Sequence, residues 1–429
     1  MSTPFLGLAG FVLTLVLIAL GFPVFIAMAV VGLGGIALSG GWDQAAYVLS
    51  SAPFEAIFPY SFSVIPLFLL MGVFAAHAGL SRSLFDLINA FVGHWRGGLA
   101  VSTVGASAVF GAICGSSLAT VATIARVAMP EMRRYGYDDS LASASVAAGG
   151  TLGVLIPPSI ILVIFGLLTQ TSIGALFLGA ILPGLLGTVL YALAVVIRVR
   201  RNPGLAPAGA RTPWGRRIAL LGRVWPVVLL FGVVIGGMQL GWFSPTEAAA
   251  VGAVGAFLLA LLMGGLNASV MRQIVAETAA LTGMIFLILI GASFFNFFLE
   301  TTGLPRILAD SIGQSGLHPT MVMVLILIFY IVLGCFMDSM SMVLLTVLLL
   351  ATGAVALDFN MVWFGVLVVT VAEIGLITPP VGMNLFVVQA TAPGLRQETV
   401  IRGILPFIFA DIVRLVLLLA FPWLVTLAW

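Results

Sequence analysis

Apolar residues run along this chain in long blocks separated by short polar interruptions. In the first half the blocks fall near 5–21, 23–40, 62–79, 98–124, 140–168 and 173–197. In the second half they fall near 224–241, 246–266, 276–299, 319–352, 361–390 and 404–427. A helix needs about 20 apolar residues to cross hydrocarbon. The pattern therefore predicts an all-α, polytopic membrane protein. Residues 81–97, carrying Arg82, His94 and Arg96, read as an amphipathic interfacial helix. The block 98–124 has basic residues at both ends, Arg96 before it and Arg126, Arg133 and Arg134 after it. Both ends then belong on one side of the membrane, which predicts a re-entrant hairpin. The blocks 140–168 and 361–390 are each interrupted by Pro-Pro, at Pro157-Pro158 and Pro379-Pro380.

The interruptions repeat. Gly111 in GAICGSS matches Gly334 in GCFMDSM, 223 positions on. Pro157-Pro158 matches Pro379-Pro380 at 222, Pro183 matches Pro406 at 223, and Arg82-x-Leu84-x-Asp86 matches Arg306-x-Leu308-x-Asp310 at 224. Four matches in order at nearly constant offset predict internal duplication. In this alignment Asp338 stands where Gly115 does. Residues 1–197 form the first repeat, with scaffold spans, the amphipathic helix 81–97, the hairpin 98–124 and the broken helix 140–168. Residues 224–429 form the second, with the hairpin 319–352 and the broken helix 361–390. Between them, 198–223 holds seven of the 17 arginines, so this linker is expected in the cytoplasm. Placing Met1 outside gives five crossings before the linker, and an odd number inverts the second repeat. Inverted repeats with broken helices are a design of secondary transporters.

Composition narrows the picture. Of 429 residues, 62% are hydrophobic and 7% charged, far too few charges to cover a water-facing surface. The net charge of +2 gives no reason to expect nucleic acid. Cys114 and Cys335 lie in apolar stretches and read as inert thiols. The first apolar block lacks a basic leader and a cleavage site, and reads as a mature span. No Walker A motif is present, so ATP hydrolysis by this chain is not expected. The three histidines are scattered and no nucleophile elbow occurs, so no enzymatic chemistry is predicted.

Three constellations carry candidate chemistry. Adjacent prolines remove two backbone donors and end a helix just before them. Inside a membrane such a break frees carbonyls for a cation and exposes a positive helix N-terminus for an anion. The hairpin tips hold Gly115, Ser116 and Ser117 in one repeat and Asp338, Ser339 and Ser341 in the other. Their oxygens suit a hard cation such as Na⁺, although serine also serves as a small packing residue between membrane helices. Acidic residues at membrane depth are costly unless paired or functional. Asp338 stands at a tip, Glu373 reads first as a structural hydrogen-bond partner, and Asn384 follows the second break. Gly149, Gly150 and Gly153 let the first broken helix approach a hairpin closely.

The segments GAICGSSLATVATIARVAMPEMRRYGY, AAGGTLGVLIPPSIILVIFG, SIGALFLGAILPG, GCFMDSMSMVLL and GLITPPVGMNLFV, with GHWRGGLA ahead of the first hairpin, resemble the large membrane subunit (DctM type) of tripartite ATP-independent periplasmic (TRAP) transporters. The resemblance covers nearly the whole chain. It implies an inverted-repeat, elevator-type Na⁺ symporter in the bacterial inner membrane. Its expected partners are a small four-helix membrane subunit, not fused here, and a periplasmic substrate-binding protein. The expected cargo is a small organic acid, C4-dicarboxylate or sialic-acid-like. Na⁺ ligation carries over to Ser116, Ser117, Pro157, Pro158 and Ser159, and to Asp338, Ser339, Ser341, Thr378, Pro380 and Gly382. The substrate set is Gly115, Ser116, Gly149, Gly150, Gly153, Ser339 and Asn384, with the anion between the tips and the breaks. The alternative is a stand-alone Na⁺/dicarboxylate symporter of the same design, which would work without a binding protein. From another class, a scaffold subunit would lack a site of its own.

Overall fold

The structure, a computed structural model, describes residues 3–314 and 316–427. The first half comprises α1 (Thr3–Ala19), α2 (Val24–Gly40), α3 (Trp42–Ile57), α4 (Val64–His77), α5 (Leu80–Val92), α6 (Gly98–Cys114), α7 (Ser117–Arg134), α8 (Asp139–Leu155), α9 (Ile160–Thr169) and α10 (Ile173–Arg201). A linker helix, α11 (Trp214–Leu221), follows. The second half comprises α12 (Trp225–Gln239), α13 (Pro245–Leu262), α14 (Ala268–Thr302), α15 (Leu304–Gln314), α16 (Pro319–Gly334), α17 (Ser339–Ala356), α18 (Met361–Gly375), α19 (Met383–Thr391), α20 (Gln397–Ala420) and α21 (Trp423–Thr426). No strand occurs among the described residues.

Six of these helices are long and apolar enough to cross a membrane, and up to eight if each bent pair counts as one span. Their outer faces remain apolar. Leu185, Val189, Leu193 and Ile197 form an exposed stripe on α10, and Leu405, Phe409, Ile412 and Val416 form another on α20. In water such stripes would be aggregation sites; in a bilayer they meet lipid. The prediction of an all-helical, multi-pass membrane protein agrees with this surface.

Packing sorts the helices into two groups. α2 lies along α14, and α4 lies along α13 and α14, with α1, α3 and α12 completing an outer frame. The inner group holds α6 to α10 and α16 to α20, centred on α8, which touches α6, α7, α10, α19 and α20. Two short amphipathic helices join the groups. α5 leads from α4 into α6, and α15 leads from α14 into α16. Each begins after a glycine in the left-handed conformation, Gly79 (φ 74°) and Gly303 (φ 72°). That backbone region favours residues without a Cβ.

Two boundaries differ from the hydropathy pattern. The second arm of the first hairpin runs on to Arg134, because α7 stays helical through Arg126 and Pro130 after its apolar block ends. Residues 42–57 form a helix, α3, although they lie outside the apolar blocks and carry Asp43, Glu55 and Pro53. Propensity and capping extend these helices past the point where hydrophobicity ends.

Candidate cation and substrate site

Both hairpins turn directly into a capped helix N-terminus. Gly115 (φ 63°) closes α6, and Ser116 caps α7, its Oγ accepting from the Ala119 amide at 3.4 Å. A side chain on Gly115 would be strained and would press to 3.1 Å from Ile160. In the other hairpin Asp338 caps α17, its Oδ1 accepting from the Ser341 amide at 3.0 Å. The Ser341 hydroxyl donates to Asp338 Oδ2 at 2.5 Å. By their caps, then, Asp338 corresponds to Ser116, and Ser339 to Ser117. The motif alignment, which set Asp338 against Gly115, is one residue out at the tip, because the capping residue follows Gly111 by five positions (Ser116) and Gly334 by only four (Asp338).

The breaks complete the frame. Pro157–Pro158 and Pro379–Pro380 are both cis. Ser159 caps α9, accepting from the Leu162 amide at 3.3 Å. Gly382 (φ 59°) opens α19 and donates its amide to the Cys335 carbonyl at 3.2 Å, fastening the second tip to the second break. The Thr378 hydroxyl returns to the Ile374 carbonyl at 2.7 Å. The packing is crossed: α7 lies on α19, and α17 lies on α9. Four helix N-termini thus begin at the tips and breaks, each contributing partial positive charge.

At the centre of this frame is Glu373 on α18, only 1% exposed. The Ser339 hydroxyl donates to its Oε1 at 2.8 Å, and Ser117 reaches towards the same carboxylate. Asn384 Nδ2 donates to Ser117 Oγ at 2.8 Å and to the Ala147 carbonyl at 3.2 Å. A carbonyl only accepts, so this contact fixes which amide atom is nitrogen. A continuous polar path therefore runs from α8 through α19 and α7 to α18 and α17. Two buried oxygens on it, Glu373 Oε2 and Asn384 Oδ1, have no hydrogen-bond partner among the described residues. Among the described residues no group of three or more His, Cys, Asp or Glu side chains is placed to hold a metal. The donor set is hydroxyl, amide and carboxylate oxygen, which fits a hard monovalent cation better than a transition metal.

The sequence as a whole matches the family described as the tripartite ATP-independent periplasmic transporter, DctM component, over residues 11–424. The chain belongs to the DctM family. It is 36% identical over 374 residues to the C4-dicarboxylate TRAP transporter large permease protein DctM of Pseudomonas aeruginosa, covering 86% of each chain. Against the ectoine TRAP transporter large permease protein TeaC of Halomonas elongata it is 32% identical over 410 residues, 95% of each chain. The sialic acid TRAP transporter large permease protein SiaM of Vibrio cholerae is 32% identical over 367 residues, 85% of this chain and 84% of that one. Among solved structures, the YdaH transporter of Alcanivorax borkumensis superposes with a TM-score of 0.64 over 94% of this chain and 98% of its own. At 15% identity that likeness concerns the fold alone.

In this DctM-family permease the residues singled out from sequence fall into distinct surroundings. Ser117, Ser339 and Asn384 meet on the Glu373 path. Pro157, Pro158 and Ser159 are buried, while Thr378 is half-buried and Pro380 exposed. Gly149, Gly150 and Gly153 are packing positions. A Cβ on Gly149 would meet Ser107 Oγ at 2.6 Å, one on Gly150 would meet the Ser117 carbonyl at 3.1 Å, and one on Gly153 would collide with the Gly111 backbone. Sequence reading left Glu373 at the margin and missed a second polar cluster entirely. Asp411 and Arg414 on α20 are 0% and 1% exposed and pair at 2.8 Å. Tyr191 on α10 donates to Asp411 Oδ2 at 2.5 Å and meets Thr151 on α8 at 3.2 Å. The signal was present: Asp and Arg three apart inside an apolar helix.

Proposed function

We propose that this large permease subunit drives import of a small organic acid with Na⁺, working with a periplasmic binding protein and a small membrane subunit in the bacterial inner membrane. Two inverted repeats supply one cation site each, at Ser116 and Ser117 with Pro157 to Ser159, and at Asp338, Ser339 and Ser341 with Thr378 to Gly382. The inner group moves against the outer frame on α5 and α15, in an elevator motion. The substrate class follows the relatives, whose names specify C4-dicarboxylate, sialic acid and ectoine.

One observation carries the reading. Serine hydroxyls from both tips converge on a buried carboxylate and amide that retain unpartnered oxygens. Isolated buried acceptors of this kind cost about 1–3 kcal/mol each, and a bound cation or substrate removes that cost. The test is uptake in proteoliposomes holding both membrane subunits and the binding protein. Ser116→Leu and Ser339→Leu should each abolish Na⁺-driven uptake. Undiminished uptake in both variants would refute the sites. Uptake by this chain without the binding protein would instead establish the stand-alone symporter.

A further inference from the structure

The linker side of the molecule carries a feature that transport chemistry leaves unused. Two adjoining cavities, of about 410 and 380 Å³, lie between α5, α11 and the base of the first hairpin, sharing Asp86, Asn89, Tyr135 and Arg216. Arg211 and Arg223 enter the first, and Arg82 and Arg126 enter the second. Among the described residues, none of these five arginines has a carboxylate oxygen within 4.0 Å or a side-chain hydrogen bond. Only two acidic residues among those described, Asp86 and Glu131, line these cavities against the five arginines. Glu131 is held by Arg134 at 3.9 Å. Burial pushes the Asp86 carboxyl above its ordinary range, against the pull of Arg82, Arg216 and Arg223 and with a small push from Glu131. The cavities are thus open, positive and rich in planar donor forks.

Beside them α11 turns an unpacked apolar face outward, with Trp214, Ile218 and Leu221 all exposed. Arg217, one turn after Trp214, stacks over that ring (4.7 Å) and over Phe91 of α5 (5.4 Å), clamping α11 to α5. An amphipathic helix with an exposed aromatic and aliphatic face, and with Arg216 turned to the cavities behind it, suits the level of lipid headgroups. Guanidinium forks match phosphate oxygens in pairs. We propose that these paired cavities bind the phosphate headgroup of an anionic glycerophospholipid, through Arg82, Arg126, Arg211, Arg216 and Arg223. Free phosphate would use the arginines and leave the apolar face idle; a lipid uses both. Such a lipid ties the linker, the arm helix α5 and the hairpin base together.

The full chain, purified with its lipids, can be titrated with phosphatidylglycerol and phosphatidylcholine and read by native mass spectrometry. Wild type should retain phosphatidylglycerol about tenfold over phosphatidylcholine, and each arginine removed should cost about fivefold. Arg216→Gln/Arg223→Gln should erase the preference, Arg216→Lys/Arg223→Lys should restore most of it, and Arg272→Gln/Arg402→Gln, remote from the cavities, should leave it intact. Equal retention of the two lipids by wild type would overturn the proposal. So would an unchanged preference in Arg216→Gln/Arg223→Gln, or displacement of the bound lipid by millimolar inorganic phosphate. None of these readouts depends on Na⁺ or on transport.

Discussion

Glu373 accepts one hydroxyl from the second hairpin and faces another from the first, inside a shell that excludes water. A carboxylate in that position does two things. In the proposed site it offers oxygen to a cation, and it holds two separate tips in register. Glu373→Gln keeps the size and removes the charge. One charge-assisted hydrogen bond is worth about 1.5–3 kcal/mol, so the Na⁺ concentration for half-maximal uptake should rise on the order of tenfold. An unaltered Na⁺ dependence would reduce Glu373 to a packing residue. Asp411 poses a different problem. Arg414 has unpartnered Nε and Nη1 atoms already, and Asp411 is its ion-pair partner. Removing one member of a buried pair costs about 3–5 kcal/mol because the other charge is stranded. Asp411→Ala should therefore lower the thermal midpoint in detergent, and Asp411→Ala/Arg414→Met should recover much of the loss. If the double variant is no more stable than the single one, the pair is not what holds α10 to α20.

Among the elements, the broken helices depend on glycine rather than on proline alone. Gly111 and Gly153 bring α6 and α8 into backbone contact, and Gly334 and Gly375 do the same for α16 and α18. Backbone cannot give way as a side-chain end can, so Gly153→Ala or Gly375→Ala should destabilise by about 1–3 kcal/mol. Gly174→Ala, whose Cβ would meet only Ser172 Oγ at 3.8 Å, is the matched control in the same unfolding assay. Much at this scale was legible in the sequence. Periods of apolar residues marked the spans, and Pro-Pro marked the breaks, because hydrocarbon and missing donors leave direct traces in composition. The tips were legible as serine-rich turns. What stayed hidden was partnership: Asn384 bonds Ser117 across 267 positions, and Tyr191 bonds Asp411 across 220. No local period encodes such contacts. The register of the second tip was misjudged for a related reason, since the cap chemistry of Asp338 decides where α17 starts.

For the whole molecule, the two halves share their parts list but not their surroundings. Pro158 is buried and lines a small gap together with Met71 on α4 and Leu230 on α12, both in the outer frame. Pro380 faces outward. The two Pro-Pro breaks thus sit in unequal surroundings, and on the elevator motion proposed above this inequality marks one end of a reciprocating cycle. On that proposal the other end needs no new fold: it is this one with the roles of the halves exchanged. Single cysteines in place of Pro158 and Pro380 should then answer a water-soluble thiol reagent in opposite phases. The cysteine at 380 should react in the state described, and the one at 158 only after the inner group has travelled. Simultaneous, substrate-independent labelling of both would show that the unequal burial is static. Read in this way, the asymmetry between two prolines works as a clock hand, reporting which half of the cycle a given molecule is in.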